Sequence, residues 1–141
     1  MTKDYKWTKK EERLVLKTVD EAKERLNMNS WSIINEFVNG KIHGDQDGSG
    51  QVFIASALSS VTQEYEKITI SWMPAMLRDY RDLGEDDLRE SVYHELIHGL
   101  THELYTHALD RFSTQDATTK ALERLTQRIA KICMKKSKSQ R

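Results

Sequence analysis

The chain predicts an α+β domain. Three observations carry that expectation: an amphipathic helical run opens the sequence, strand-like segments separated by turn residues fill its middle, and two further helical runs close it. At 141 residues it is long enough to bury one core unaided, so a single domain over 1–141 is expected. The one cysteine, Cys133, cannot make an internal disulfide or a cysteine metal cluster, and it suits a small apolar position on the last helix.

The first helix is expected from Thr8 to about Met28, with Leu14, Leu16, Val19, Ala22 and Leu26 as its apolar positions. Asn27, Asn29 and Ser30 stop it. "SWSIINEFVNG" then reads as a strand bounded by Asn39-Gly40, "KIHGDQDGSG" as a turn-rich loop and "QVFIASALSSV" as a further strand candidate. "EKITISW" alternates so that Ile68, Ile70 and Trp72 share a face, and Pro74 closes it. An antiparallel or mixed sheet is expected from these segments. "AMLRDYRDLGEDD" holds a short helix ended by Gly84. A long helix starts near Glu85-Asp86-Asp87, where three carboxylates suit the positive end of the helix dipole, and runs to roughly Tyr105. The last helix starts near Ser113 or Asp116 and turns Leu122, Leu125, Ile129 and Ile132 inward. The basic residues of 132–141 are expected to fray.

The 22 basic and 22 acidic residues cancel, so no global charge points to nucleic acid or to an anionic membrane. "MTKDYKWTKKEE" lacks the apolar core of a signal peptide, and no apolar run approaches the ~18 residues of a membrane span. A soluble, cytoplasmic protein is expected, and its oligomeric state stays open.

Chemistry concentrates in "YHELIHGLTHELYTH", residues 93–107, which holds four of the five histidines. On a helix, residues four apart share a face, so the imidazoles of His94 and His98 can converge on one ion. Two nitrogen ligands at that spacing suit Zn²⁺. Glu95 sits beside that pair as a base for a water acidified by the ion. Leu88, Val92, Leu96, Ile97, Leu100 and Leu104 cluster as the core face, with His94 and His98 on a flanking stripe. Gly99, next to His98, lets another backbone approach. The second His-Glu pair differs: His102-Glu103 has its next histidine five residues on, at His107, which breaks the clamp spacing. His102 extends the stripe by a turn as a cleft-lining residue. His107 is expected past the helix end, where a returning loop could bring it to the ion.

"YHELIHGL" resembles the active-site helix of the zincin metallopeptidases, the His-Glu-x-x-His class. Strands, this helix and a following helix with "ALERLTQRIAKI" resemble, in order, the minimal gluzincin-like peptidases, some of them phage-encoded. The resemblance implies a small zincin-like domain that hydrolyses peptide bonds with zinc. His94 and His98 would be ligands, Glu95 the general base, and Glu123, in a Leu-Glu step, the third ligand. His107, His102, Asp110 and Asp116 remain alternatives to Glu123. The metzincin continuation is absent, since Thr101 and Leu104 stand where glycine and histidine would. The implied partner is a peptide or protein substrate, aligned on an edge strand drawn from "QVFIASALSSV" or "EKITISW". If a phage encodes the chain, the compartment is the host cytoplasm. Tyr80, Tyr93, Tyr105, His102 and His107 are oxyanion candidates by type. The alternative is a zincin-fold binding or regulatory protein whose metal is structural or absent. A DNA-linked protease is a third reading, which the neutral charge disfavours.

Other stretches carry less. "DQDGSG" has Asp45, Asp47 and Ser49 at calcium-loop spacing, but Ser56 stands where a bidentate glutamate is needed, so a polar turn is expected there, with His43 in the surface loop beside it. Lys131, Lys135, Lys136, Lys138 and Arg141 form a solvated tail. Trp7, Trp31 and Trp72 are expected in the core or at partner contacts.

Overall fold

The computed structural model describes residues 3–42, 45–46, 52–109 and 114–139. Its elements run β1 (Asp4–Tyr5), α1 (Lys9–Arg25), β2 (Ser32–Phe37), β3 (Gly40–Lys41), β4 (Asp45–Gln46), β5 (Val52–Phe53), β6 (Ala57–Thr62), β7 (Lys67–Trp72), α2 (Pro74–Leu83), α3 (Glu85–Leu109) and α4 (Gln115–Ser139). The class is α+β, as expected. Among the described residues no helix is long and apolar enough to cross a membrane.

Helix α1 begins where the sequence supplies a capping box. The Thr8 hydroxyl accepts from the Glu11 N–H at 3.2 Å, and the Glu11 carboxylate accepts from the Thr8 N–H at 2.9 Å. That carboxylate also takes a two-point contact from Arg81 of α2, with Nε at 2.8 Å and Nη2 at 3.0 Å. Arg81 first, with the Thr8 contacts helping against burial, holds the Glu11 carboxyl down at about 2 instead of 4.5. A depressed carboxylate contributes stability above its ordinary value and loses it as pH falls toward the folded value. Glu11→Gln is therefore expected to cost about 1–2 kcal/mol at pH 7 in urea unfolding, with the difference shrinking to nothing near pH 2. A difference unchanged between those pH values would assign the effect to packing.

α1 ends at Arg25, earlier than expected, and Asn27 turns the chain with φ 55°. Its buried residues are Val15, Thr18, Val19 and Ala22, with Leu14 and Leu26 packed against the core; of the expected apolar positions only Leu16 is exposed. Thr18 is tolerated inside because its hydroxyl donates to the Leu14 carbonyl at 2.8 Å.

The main sheet is mixed, in the order β2-β7-β6. β7 pairs parallel with β2 (Ile33 opposite Ile68, Phe37 opposite Trp72) and antiparallel with β6 (Ala57 opposite Trp72, Thr62 opposite Lys67). Ile68, Ile70 and Trp72 are all fully buried on one face. Trp72 donates its indole N–H to Asn35 Oδ1 at 2.9 Å, and Trp7 donates its own to the Val38 carbonyl at 3.2 Å. All three tryptophans are core residues. The expected strand over 51–61 is split: β5 pairs with β4 as a small hairpin, and β6 follows after Ile54-Ala55-Ser56. Asp45 belongs to β4, and the Ser56 carbonyl accepts the Met73 N–H at 3.0 Å, while the rest of the expected polar turn lies outside the described residues. His43, Asp47 and Ser49 lie outside the described residues. Pro74 takes the first turn of α2, and Gly84, at φ 98°, ends it.

Helix α3 is the hub, touching α1, α2, α4, β6 and β7. Leu88, Val92, Tyr93, Leu96 and Ile97 are completely buried, whereas Leu100 is 44% exposed. Gly99 faces the side chains of Met28 and Trp31, where an added Cβ would stand 3.3 Å from each; what approaches it is a pair of side chains, not a backbone. α3 continues to Leu109, past the expected end at Tyr105.

Helix α4 begins after Thr114, whose hydroxyl accepts the Ala117 N–H at 3.3 Å. It corrects two expectations. The face against α3 is built on Thr126 and Ala130, both fully buried, while Leu125 and Ile132 are 40% and 57% exposed. Of the other two residues expected inward, Ile129 packs against the core and Leu122 lines the cleft. The basic end is helical through Ser139, so most of the expected frayed tail is helix.

Candidate metal centre

The clamp spacing in α3 puts both imidazoles on one side of the helix, and α4 brings a carboxylate to meet them. His94 Nε2 lies 3.1 Å from His98 Nε2. Glu123 straddles the pair, with Oε2 3.0 Å from His94 Nε2 and Oε1 3.0 Å from His98 Nε2. The two rings stand edge to face, centroids 4.8 Å apart at 77°. These three residues form the one His/Cys/Asp/Glu group with converging donor atoms among the described residues. Glu123 reaches the site because residues 123, 126, 127 and 130 form a single stripe of α4 facing α3.

The donor set could hold a metal ion: one ligand atom from each residue lies within 4.8 Å of the others, and imidazole nitrogen and carboxylate oxygen are donors that zinc accepts. Electrostatics point the same way: a carboxylate and two imidazole nitrogens at hydrogen-bond distance need a cation among them, whether protons or a metal. The protonation preferences record that need. Burial works against a charged His94, but hydrogen bonds to Glu123 and Gln127, with the charges of Glu95 and Glu123, outweigh it and raise its pKa above 6.5. Hydrogen bonds from His94 and His98 hold the Glu123 carboxyl down at about 2 despite partial burial.

Glu95 stands apart from this triangle. Its side chain is buried on the side of α3 toward β6, where the Ser59 side chain hydrogen-bonds to it. Burial pushes its pKa up, and the charges of His98 and His94 and the Ser59 bond pull the other way without cancelling it. An ordinary exposed glutamate would sit well below neutrality; this one is moved toward it.

A cleft of ≈ 760 Å³ opens over these groups. Ile54 through Val61 form one wall, and α3 and α4 form the other, with Asp87, Glu90, His102 and Tyr105 on the α3 side. β6 is the edge strand of its sheet and lies along this wall. "QVFIASALSSV" therefore supplies the edge at the cleft, through its second half, while "EKITISW" is the central strand.

The remaining candidates sort by position. His102 lines the cleft but is not part of the donor triangle. His107 lies in α3, nine residues beyond His98, which is about 13 Å along a helix axis. No loop returns it to the site, and the expectation that the helix ends before it is wrong. Asp116 forms a first-turn ion pair with Lys120 at 3.1 Å, and Asp110 lies outside the described residues. Among the tyrosines, Tyr93 is fully buried in the core, and Tyr80 packs against that core away from the cleft lining. Tyr105 lines the cleft, its hydroxyl 3.3 Å from Thr119 Oγ1.

Three contributors were not read from the sequence. Ser59 holds Glu95, Gln127 Oε1 accepts the Nδ1–H of His94 at 2.7 Å, and Glu90 accepts the Gln127 side-chain amide. A signal for two of them was available. Glu90, His94 and His98 step by four along α3, and Glu123 and Gln127 step by four along α4. Comparison with family models, curated proteins and solved structures gives no match to this chain.

Proposed function

We propose that the chain is a small zincin-like, zinc-dependent peptidase with His94, His98 and Glu123 as its metal ligands and Glu95 as its general base. The observation that carries this reading is the convergence of His94 Nε2, His98 Nε2 and the two Glu123 oxygens, in contacts of 3.0–3.1 Å, with a buried carboxylate beside them and an open cleft above. The resemblance of residues 93–100 to the zincin helix supports it. A three-donor group leaves room for a reacting water, as catalytic zinc sites require.

Zinc bound there would supply Lewis acidity and a water of lowered pKa. The chain's own residues do the rest. An extended substrate adds to the free edge of β6, which lays its backbone along the cleft. Glu95 takes a proton from the attacking water onto its carboxylate and then delivers it to the leaving amine, restoring its starting form. Ser59 keeps that carboxylate in one rotamer between the two transfers.

Purified without chelators, the protein is expected to carry about one zinc per chain and to cleave an unfolded protein such as casein. Chelation should stop cleavage, and added zinc should restore it. A protein that takes up no zinc would sink this reading. One that holds zinc yet hydrolyses no unfolded substrate would favour the alternative, a binding or regulatory protein with a structural metal.

A further inference from the structure

His94 makes a contact that the metal reading alone does not require. Its Nδ1 faces Gln127 Oε1 at 2.7 Å, and the Gln127 Nε2 faces the Glu90 carboxylate. A side-chain amide can be turned either way, with its oxygen or its nitrogen toward the imidazole. A carboxylate only accepts hydrogen bonds, so with Glu90 on one side the amide must point its nitrogen there. Its oxygen is then left for His94, and an oxygen can only accept. Nδ1 of His94 must therefore carry a proton, so Nε2, which faces His98 and Glu123, is the nitrogen whose lone pair is left for a metal. The direction of each bond is fixed by the one before it.

We propose that Glu90 and Gln127 form a positioning relay that sets the His94 tautomer, with Glu90 dictating the orientation of the Gln127 amide and Gln127 dictating which ring nitrogen offers its lone pair. Neither residue supplies one of the converging donor atoms. Both act through His94, and the relay joins α3 to α4 one turn from Glu123. The sequence carries it as two period-four ladders on facing helices: Glu90, His94 and His98 on α3, Glu123 and Gln127 on α4. A metal-binding histidine works better when its second nitrogen is held by an oriented acceptor, and losing such a partner typically costs 10–100-fold in metal affinity.

The relay rests on the proposed metal centre for its purpose but not for its geometry, and a swap of the two side chains tests it. Glu90→Gln keeps size and shape but lets residue 90 donate as well as accept, so the Gln127 amide loses its fixed direction. Zinc affinity, measured by competition with a chromogenic chelator, is expected to fall about tenfold or more, with the melting temperature of the zinc-free protein unchanged. Gln127→Glu alone sets two carboxylates against each other and should also lose affinity. The double variant Glu90→Gln/Gln127→Glu puts an acceptor against His94 and a donor behind it, and should recover affinity to within about threefold of the parent. A single variant that binds zinc like the parent, or a double variant no better than either single, would overturn the relay.

A second readout separates this failure from failure of the metal reading. Long-range proton–nitrogen spectra of the zinc-free Glu123→Ala variant near pH 9, which lacks the competing carboxylate at Nε2, should show His94 in the Nδ1–H form, and adding Glu90→Gln should mix the two tautomers. If the parent binds no zinc but Glu123→Ala shows that tautomer, the relay stands and the peptidase proposal falls. An Nε2–H or mixed His94 in Glu123→Ala overturns the relay whatever the metal does.

Discussion

Glu95→Gln is expected to lower kcat by about 10²–10⁴-fold while the zinc content stays at the parent value. The expectation comes from where Glu95 sits. It belongs to the motif by sequence but lies outside the donor triangle, buried toward β6 and tied to Ser59. Glutamine has nearly the same volume, and its oxygen can still accept from the Ser59 hydroxyl. Packing and metal binding are therefore preserved while the ability to hold a proton is removed. Burial raises the Glu95 pKa and favours its neutral form, and the positive charge of His98 and His94 opposes that effect. Burial thus makes Glu95 a stronger base than a freely solvated glutamate. A glutamine variant that still cleaves within tenfold of the parent would put the base elsewhere. One that loses zinc would make Glu95 a ligand and not a base.

The parts of this site that were legible in the sequence are those fixed by a single helix. His94 and His98 converge because of a four-residue spacing, and no tertiary contact can undo that geometry. The carboxylates of Glu85, Asp86 and Asp87 mark the start of α3 equally locally. Glu123 is different, since its place depends on how α4 docks on α3. A wheel centred on Leu122, Leu125 and Ile129 turns it away from the site, and the resemblance alone brought it forward. Thr126 and Ala130 decide the docking face instead, because close approach of two helices depends on what is small as much as on what is greasy. The sheet shows the same limit. The alternation of Ile68, Ile70 and Trp72 announces a buried face, but nothing local tells that β7 lies parallel to β2 and antiparallel to β6. The split at Ile54-Ala55-Ser56 was hidden because β-branched and small residues continue through it. Tyr93 is a candidate by residue type alone, because α3 is packed on most of its sides and buries this residue adjacent to the motif.

Glu123→Ala is expected to weaken zinc binding by about 10²-fold or more, and its pH dependence should identify the carboxylate as a ligand. Without metal, the cluster is held together by protons. The Glu123 carboxyl, held down at about 2 by hydrogen bonds from His94 and His98, contributes stability above its ordinary 4.5 and loses it as pH falls toward 2. His94 titrates above its ordinary 6.5, so its contribution is whole below 6.5 and is lost as pH rises through the folded value. The metal-free cluster is therefore strongest at roughly pH 5–6 and weakens on both sides. Zinc requires the lone pair that the proton occupies, so its affinity should rise as His94 deprotonates. The two states thus respond oppositely: with chelator, the melting-temperature gap between parent and Glu123→Ala should be widest at roughly pH 5–6, and with zinc it should be widest near pH 8. His107→Ala and Asp116→Ala should match the parent in both series, because one lies about 13 Å along α3 from His98 and the other is paired with Lys120. If Glu123→Ala kept parental zinc affinity at pH 8, Glu123 would be only the counter-ion of a protonated histidine pair, and the third donor would have to come from elsewhere.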